Sequence, residues 1–153
     1  MKHIIITGGS RGLGLAFVRH CVSLGYAVSS CSSAPSDTVE ELSSAYPAQF
    51  FWQKADLAVS GEGEAFVDAA MKHFADLPLW ALVNNAGIAH DGVLATLPMI
   101  EVQRVIAVNL VSSIGVARAC LRYFLKQNSG GRIVNISSII GARGYTGLAA
   151  YSA

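Results

Sequence analysis

The sequence predicts a doubly wound α/β fold, a parallel sheet with helices on both faces. Three observations point there. Apolar strand-like runs alternate with helical patterns along the whole chain, and strands joined by helical crossovers pair in parallel. A glycine-rich segment stands at the first strand-to-helix junction, residues 8–14. Apolar residues make up 52% of the 153 residues, as expected of strands buried on both faces.

The elements follow in order. Strand one is expected over residues 2–7, and a helix over 12–24 with Leu13, Ala16, Phe17 and Val18 among its apolar positions. Gly25 then serves as the helix stop. Strand two covers 26–31, and a short helix 37–45 opens on a capping box of Asp37 and Glu40. Strand three covers 49–54, and a helix over 60–74 places Ala65, Phe66, Ala69 and Ala70 on one side. Strand four covers 79–84, two helices follow over about 98–108 and 109–127, and a turn at 129–131 leads into strand five, 132–137. With no repeat, linker or low-complexity tract, residues 1–153 read as a single domain. Right-handed crossovers give a strand order of 3-2-1-4-5 and open a crevice between strands one and four, where such sheets bind ligands.

Composition narrows the function classes. A net charge of +1 with scattered signs gives no basic face for nucleic acid or an anionic membrane surface. No uninterrupted apolar run reaches the about 18–20 residues of a spanning helix; the best candidate, 105–117, is broken by Asn109, Ser112, Ser113 and Gly115. Residues 4–6 are too short for a secretory signal core. The three cysteines, Cys21, Cys31 and Cys120, form no CxxC pair and read as small buried hydrophobes in a reducing, cytoplasmic compartment. His3, His20 and His73 have no metal spacing, so no metal site is expected. Trp52 and Trp80 flank strands and read as packing residues, and His90-Asp91 reads as adjacent loop residues that do not face each other.

The segment Thr7-Gly8-Gly9-Ser10-Arg11-Gly12-Leu13-Gly14 is the first chemical signal. A strand here turns sharply into a helix while a diphosphate touches the backbone. Gly8 permits the turn, Gly12 removes a Cβ that would block the phosphate, and Gly14 lets the helix pack close to the sheet. The helix N-terminus offers free N–H groups and a positive dipole end to the anion. This is a Rossmann-type dinucleotide site.

The spacing Thr-Gly-x-x-x-Gly-x-Gly resembles the short-chain dehydrogenase/reductase family rather than the ordinary G-x-G-x-x-G fingerprint. Asn84-Asn85-Ala86-Gly87 at the end of strand four matches that family's second signature, and residues 132–138 match its fifth strand, ending at Ser138. The resemblance covers the whole chain in order and is nearest to the 3-oxoacyl-acyl-carrier-protein reductase-like branch. It implies oxidoreductase chemistry (EC 1.1.1.-), with hydride passing between a nicotinamide and a small-molecule carbonyl or secondary alcohol.

The preferred cofactor is read from the end of strand two. NAD-preferring sites place an acid there, about 20 residues past the loop, on the ribose 2′-OH. Here that end reads Ser30-Cys31-Ser32-Ser33, and the first acid, Asp37, is expected to be a helix N-cap. Neutral hydroxyls do not repel a 2′-phosphate, and Arg11 can pair with one. Arg11 and Ser33 match positions that hold this phosphate in NADPH-using relatives, so NADP(H) is expected over NAD(H). Asp56-Leu57 resembles the family's adenine contact, with Asp56 also a candidate helix cap. The cofactor set implied by loop and resemblance together is Gly8, Ser10, Arg11, Gly12, Leu13, Gly14, Ser33, Asp56, Leu57, Asn85, Ala86, Gly87 and Tyr151.

By resemblance, Tyr151 is the general acid of reduction and the base of oxidation. Ser138, with twelve residues between it and Tyr151, holds the substrate oxygen. Asn109 resembles the residue that kinks the long helix and supports a proton-relay water; an asparagine amid Val105, Ile106, Val108 and Val111 needs a partner if buried. A free tyrosine, with a reference pKa of about 10, is a poor base at neutral pH. The family lowers it with a lysine four residues on, and the 153 residues end two positions before it. The sequence is thus expected to be C-terminally incomplete relative to the family, lacking the last strands. As given it is expected to be inactive or nearly so, with apolar residues such as Val111, Ile114 and Val116 left uncovered. The full-length parent is expected to be a homo-oligomer. The alternative is a non-catalytic dinucleotide-binding or dimerisation module, a truncated paralogue.

Overall fold

The computed structural model describes residues 1–153. Five strands, β1 (His3–Thr7), β2 (Ala27–Ser32), β3 (Phe50–Lys54), β4 (Leu79–Asn84) and β5 (Arg132–Asn135), form one parallel sheet of order β3-β2-β1-β4-β5. This is the expected order. The connecting helices are α1 (Gly12–Ser23), α2 (Asp37–Ala45), α3 (Glu62–His73) and a long α4 (Met99–Gln127). A short 3-10 turn, Ile139–Gly141, and a final α5 (Ala149–Ser152) complete the chain.

The core has two halves because β1 alternates its side chains between faces. Ile5 joins Leu82, Phe66, Val116 and Phe124 under α3 and α4, while Ile4 and Ile6 join Val18, Val22, Val39 and Leu42 under α1 and α2. All of β1 is buried, and each of its three isoleucine side chains contributes roughly 1.5–3 kcal/mol. β5 is exposed along its length. It ends at Asn135, two residues earlier than expected, where the ladder to β4 stops.

Local chemistry explains the element ends. Gly25 has φ +81 and its N–H bonds the Val22 carbonyl, closing α1. Asn128, at φ 52, closes α4. The N-cap of α2 is Ser36 rather than Asp37: its Oγ accepts the Val39 N–H at 3.3 Å, while Asp37 and Glu40 lie in the first turn. The expected capping box is not formed, because with Ser36 as the N-cap Asp37 and Glu40 fall within the helix; Ser36 Oγ also donates to the Ser10 carbonyl at 3.0 Å and ties this cap to the glycine loop. Asp56 is no helix cap either; the N-cap of α3 is Gly61, at φ 88.

The two helices expected around residue 108 are one. A π-helical turn over Ala107–Val111 carries the chain through without a break. Val116 is fully buried beneath α3, so it does not belong to the uncovered face, whereas Val111 (59%) and Ile114 (53%) are exposed. The uninterrupted helix Met99–Gln127 is long and apolar enough to cross a membrane by length and composition, which the sequence reading of broken runs did not foresee. Its buried residues, among them Val105, Val108, Val116 and Phe124, face the protein core.

His3 is fully buried, with Nε2 and Ser29 Oγ 2.8 Å apart and its ring against Phe74. Burial, with a smaller push from His73, drives its pKa down to about 3. The cysteines are free. Burial pushes the Cys31 and Cys120 thiols up to about 12, as fits packing residues. Trp52 Nε1 donates to Ser32 Oγ at 2.9 Å, and the Trp80 ring lies between Lys2 Nζ (3.3 Å) and Arg132 Cζ (3.6 Å).

Candidate active site

The site is built at the carboxyl ends of the strands, as two clefts that share a wall. The first, of about 510 Å³, is lined by the glycine loop, the ends of β2 and β3, and one side of α4. The second, of about 810 Å³, lies between the end of β4, α4, and the segment after β5. Residues 85–88 line both. Volumes of this order suit a small organic ligand or cofactor.

Every residue of the expected cofactor and catalytic sets lines one cleft or the other. Gly8, Ser10, Arg11, Gly12, Leu13, Gly14, Ser33, Asp56 and Leu57 line the first. Asn85, Ala86 and Gly87 form the shared wall. Asn109, Ser138 and Tyr151 line the second. Leu13 is 53% exposed and lines the first cleft.

The glycine loop fits an anion. Gly12 has φ +55 and a Cβ there would project into open space, so the backbone is bare toward the cleft. Gly14 serves packing: its Cβ would lie 2.2 Å from the Gly8 carbonyl oxygen and 2.4 Å from Asn85 Nδ2. Gly9 is equally constrained, since its Cβ would lie 2.0 Å from Ser30 Oγ; the sequence reading assigned it no role.

Thr7 and Asn85 weld the loop to the end of β4. Thr7 Oγ1 accepts the N–H groups of Asn85 (3.1 Å) and Ala86 (3.0 Å), and Asn85 Nδ2 donates to the carbonyls of Thr7 (3.0 Å) and Gly8 (3.3 Å). Asn84 reaches the other way, donating to Asn135 Oδ1 (2.9 Å) and the Ser113 carbonyl (3.3 Å). The sequence reading missed Thr7 as a positioning residue, although its place before Gly8 was the available signal.

Asn109 sits in the π turn with both ends of its carboxamide engaged. Nδ2 donates to the Ile88 carbonyl at 2.8 Å, and Oδ1 accepts the Ile88 N–H at 2.9 Å. The side chain therefore clamps the shared wall. The Ser112 and Ser113 hydroxyls donate to the Val108 and Asn109 carbonyls one turn back. Ser138 caps the 3-10 turn, its Oγ accepting the Ile140 N–H at 3.2 Å, which leaves its O–H proton for another acceptor. Asp56 Oδ1 accepts the Ala58 N–H at 3.0 Å, and Oδ2 pairs with Arg104 at 3.2 Å. His90 Nδ1 lies 3.2 Å from Glu101 Oε2, a partner from α4 rather than the adjacent Asp91. No cluster of His, Cys, Asp or Glu could hold a metal ion.

A parallel sheet with a glycine loop at its crevice defines a Rossmann-type nucleotide-binding protein. The short chain dehydrogenase family model matches residues 2–153, and the chain belongs to that family of oxidoreductases. Among curated proteins it is 34% identical to a 2-(R)-hydroxypropyl-CoM dehydrogenase of Xanthobacter autotrophicus, over 97% of this chain and 60% of that protein. It is 32% identical to a 3-oxoacyl-acyl-carrier-protein reductase of Staphylococcus aureus, over 99% of this chain and 62% of that one. A Serratia marcescens short-chain dehydrogenase/reductase superposes with a TM-score of 0.87 at 34% identity, over 99% of this chain and 61% of its own. The fold is also that of a Streptomyces avermitilis short-chain dehydrogenase, TM-score 0.88 at 24% identity, covering 54% of that chain. The chain thus spans about three fifths of the length of the relatives it matches.

Proposed function

We propose that these residues bind NADP(H) in preference to NAD(H) and serve hydride transfer between its nicotinamide and a carbonyl or secondary alcohol. The observation that carries this reading is the pair of clefts with a common wall. One holds the glycine loop and Arg11, the other Ser138 and Tyr151. A dinucleotide is the ligand class that needs both an anion cradle and a reacting end. When bound it supplies the hydride; the chain's own groups do the rest.

The N–H groups of the loop and of α1 receive the diphosphate. Arg11, which lines the same cleft as Ser33 and faces no acid at the end of β2, receives the 2′-phosphate. The Asn109–Ile88 clamp holds the common wall, against which the cofactor's reacting end would be bound in the cleft that Ser138 and Tyr151 line. Ser138 donates its free O–H proton to the substrate oxygen, and Tyr151 gives that oxygen its proton in reduction and removes it in oxidation. The names of the relatives fit both directions, a dehydrogenase and a reductase. Residues 1–153 act as one nucleotide-binding unit. The protein works in a reducing cytoplasm, apart from membranes and nucleic acid, and copies associate through exposed apolar residues of α4 such as Val111 and Ile114.

The test is turnover of NADPH with a panel of carbonyl compounds, measured on the 153 residues and on a version extended by a lysine-bearing helix. The extended protein is expected to turn over at least about 100-fold faster, because general acid–base groups contribute about 10²–10⁴-fold when properly tuned. Tyr151→Phe and Ser138→Ala are each expected to remove most of the extended protein's activity, Ser138→Ala with NADPH affinity nearly unchanged. Full activity in Tyr151→Phe would overturn the assignment.

A further inference from the structure

The first cleft has a wall that neither the glycine loop nor the strand ends supply. Arg104 and Val108 both line it, four residues apart on α4, and residues at that spacing share one helix face. Among the lining residues only Arg11, Asp56 and Arg104 are charged. Arg11 belongs to the loop; Arg104 comes from α4, at a position to which the sequence reading gave no role.

Arg104 is held in a definite place. Its Nη2 donates to Asp56 Oδ2 at 3.2 Å, joining segments 48 residues apart. Asp56 is anchored independently, through the Ala58 N–H on Oδ1 and through its own N–H, which donates to Glu62. The carboxylate is therefore the fixed partner and the arginine the group it orients. The pair is solvent-facing, with side-chain exposures of 51% for Arg104 and 34% for Asp56. Ion pairs of this kind contribute little to folding, so stability does not account for its placement over a cleft.

Its chemistry suits a flat ring. A guanidinium is planar, weakly hydrated and packs on aromatic faces, and Leu57 and Val108 beside it offer apolar walls. The direction of the ligand follows from the clefts. With the reacting end toward Ser138 and Tyr151 and the diphosphate at the loop, the remaining end, an adenine, would fall in the space that Arg104 borders. We propose that Arg104 is a cofactor-binding residue that closes over the adenine end of the nucleotide, its plane set by Asp56. This rests on the nucleotide reading above.

The experiment is calorimetric titration of the wild type, Arg104→Ala and Arg104→Lys with three probes: NADPH, 2′-phospho-ADP-ribose, and reduced nicotinamide mononucleotide, which has no adenine. Arg104→Ala is expected to weaken the first two by roughly 3- to 30-fold, the range of a cation over an aromatic face. The mononucleotide is expected to bind all three proteins alike, and the lysine variant to recover only part of the loss. Thermal melts are expected to coincide, which establishes that the variants are folded. Wild-type affinity of Arg104→Ala for both adenine-bearing probes overturns the proposal, as does full rescue by lysine, which would make the group a point charge rather than a plane. Wild-type protein that binds none of the three probes refutes the nucleotide reading itself, and the role of Arg104 with it.

Discussion

Gly14→Ala is expected to damage both fold and binding. A methyl group there would lie 2.2 Å from the Gly8 carbonyl oxygen and 2.4 Å from Asn85 Nδ2. The first neighbour is backbone, and the second belongs to a side chain already donating to Thr7 and Gly8. Neither can yield without moving the loop that forms the anion cradle. Overpacking of this kind costs about 1–3 kcal/mol, and a displaced cradle weakens dinucleotide binding by at least roughly tenfold if one such loop contact, worth about 1.5 kcal/mol or more as a hydrogen bond to a charged group, is lost. Gly12→Ala is the contrast. Its Cβ meets open space, so only the positive φ opposes it, at about 1–2 kcal/mol; the methyl would project where the phosphate belongs, so binding suffers more than folding. Urea unfolding and NADPH titration of the two variants separate these effects. A Gly14→Ala protein with wild-type stability and affinity would mean the loop is not packed as described.

The second large effect is acid sensitivity from His3. Burial first, and His73 second, lower its pKa from 6.5 to about 3. An unfolded chain therefore binds this proton at a pH where the folded chain does not. Below the unfolded value of 6.5 the unfolded state gains protons, and stability falls as pH falls, until the folded histidine titrates near 3. Between pH 7 and pH 4 the linkage from this one residue amounts to about 3 kcal/mol, a large share of the about 5–15 kcal/mol that holds a domain folded. His3→Gln, which keeps a polar group for Ser29 but cannot titrate, is expected to flatten this slope. Denaturant unfolding of both proteins at the two pH values measures it. Equal slopes would show that His3 is solvated or paired in the folded state.

Much of the architecture was readable because it rests on local signals. Apolar runs marked all five strands, and Gly8, Gly12 and Gly14 marked the junction where the first strand turns into a helix. What was not readable depends on contacts distant in sequence. Ser36 and Asp37 are both good caps, and the choice of Ser36 is made together with its bond to Ser10. The π turn accompanies Asn109 reaching Ile88, 21 residues away; periodicity alone suggested a break. Val116 and Val111 look alike in a helix apolar on many sides, and only packing beneath α3 separates the buried one from the exposed one. His3, a polar residue at the start of a strand, gave no sign that its ring is fully enclosed.

The site divides the same way. The residues carrying backbone geometry or a hydroxyl stood in motifs, and the structure sets them along the two clefts. Arg104, which also lines the first cleft, stood in no motif, because an arginine on an amphipathic helix reads as a solvated residue until β3's end is folded against it. Thr7 was passed over because its role is to accept two N–H groups from residues 78 and 79 positions later.

The claim on which the rest stands is that the paired clefts hold a nicotinamide dinucleotide by its phosphates. Calorimetric titration of the folded 153-residue protein with NADPH and with NADH tests it most directly. The account predicts one-to-one binding of NADPH and weaker binding of NADH, with Arg11→Ala narrowing the gap between them. No heat and no thermal stabilisation with either nucleotide, in protein whose circular dichroism shows the α/β fold intact, would contradict it.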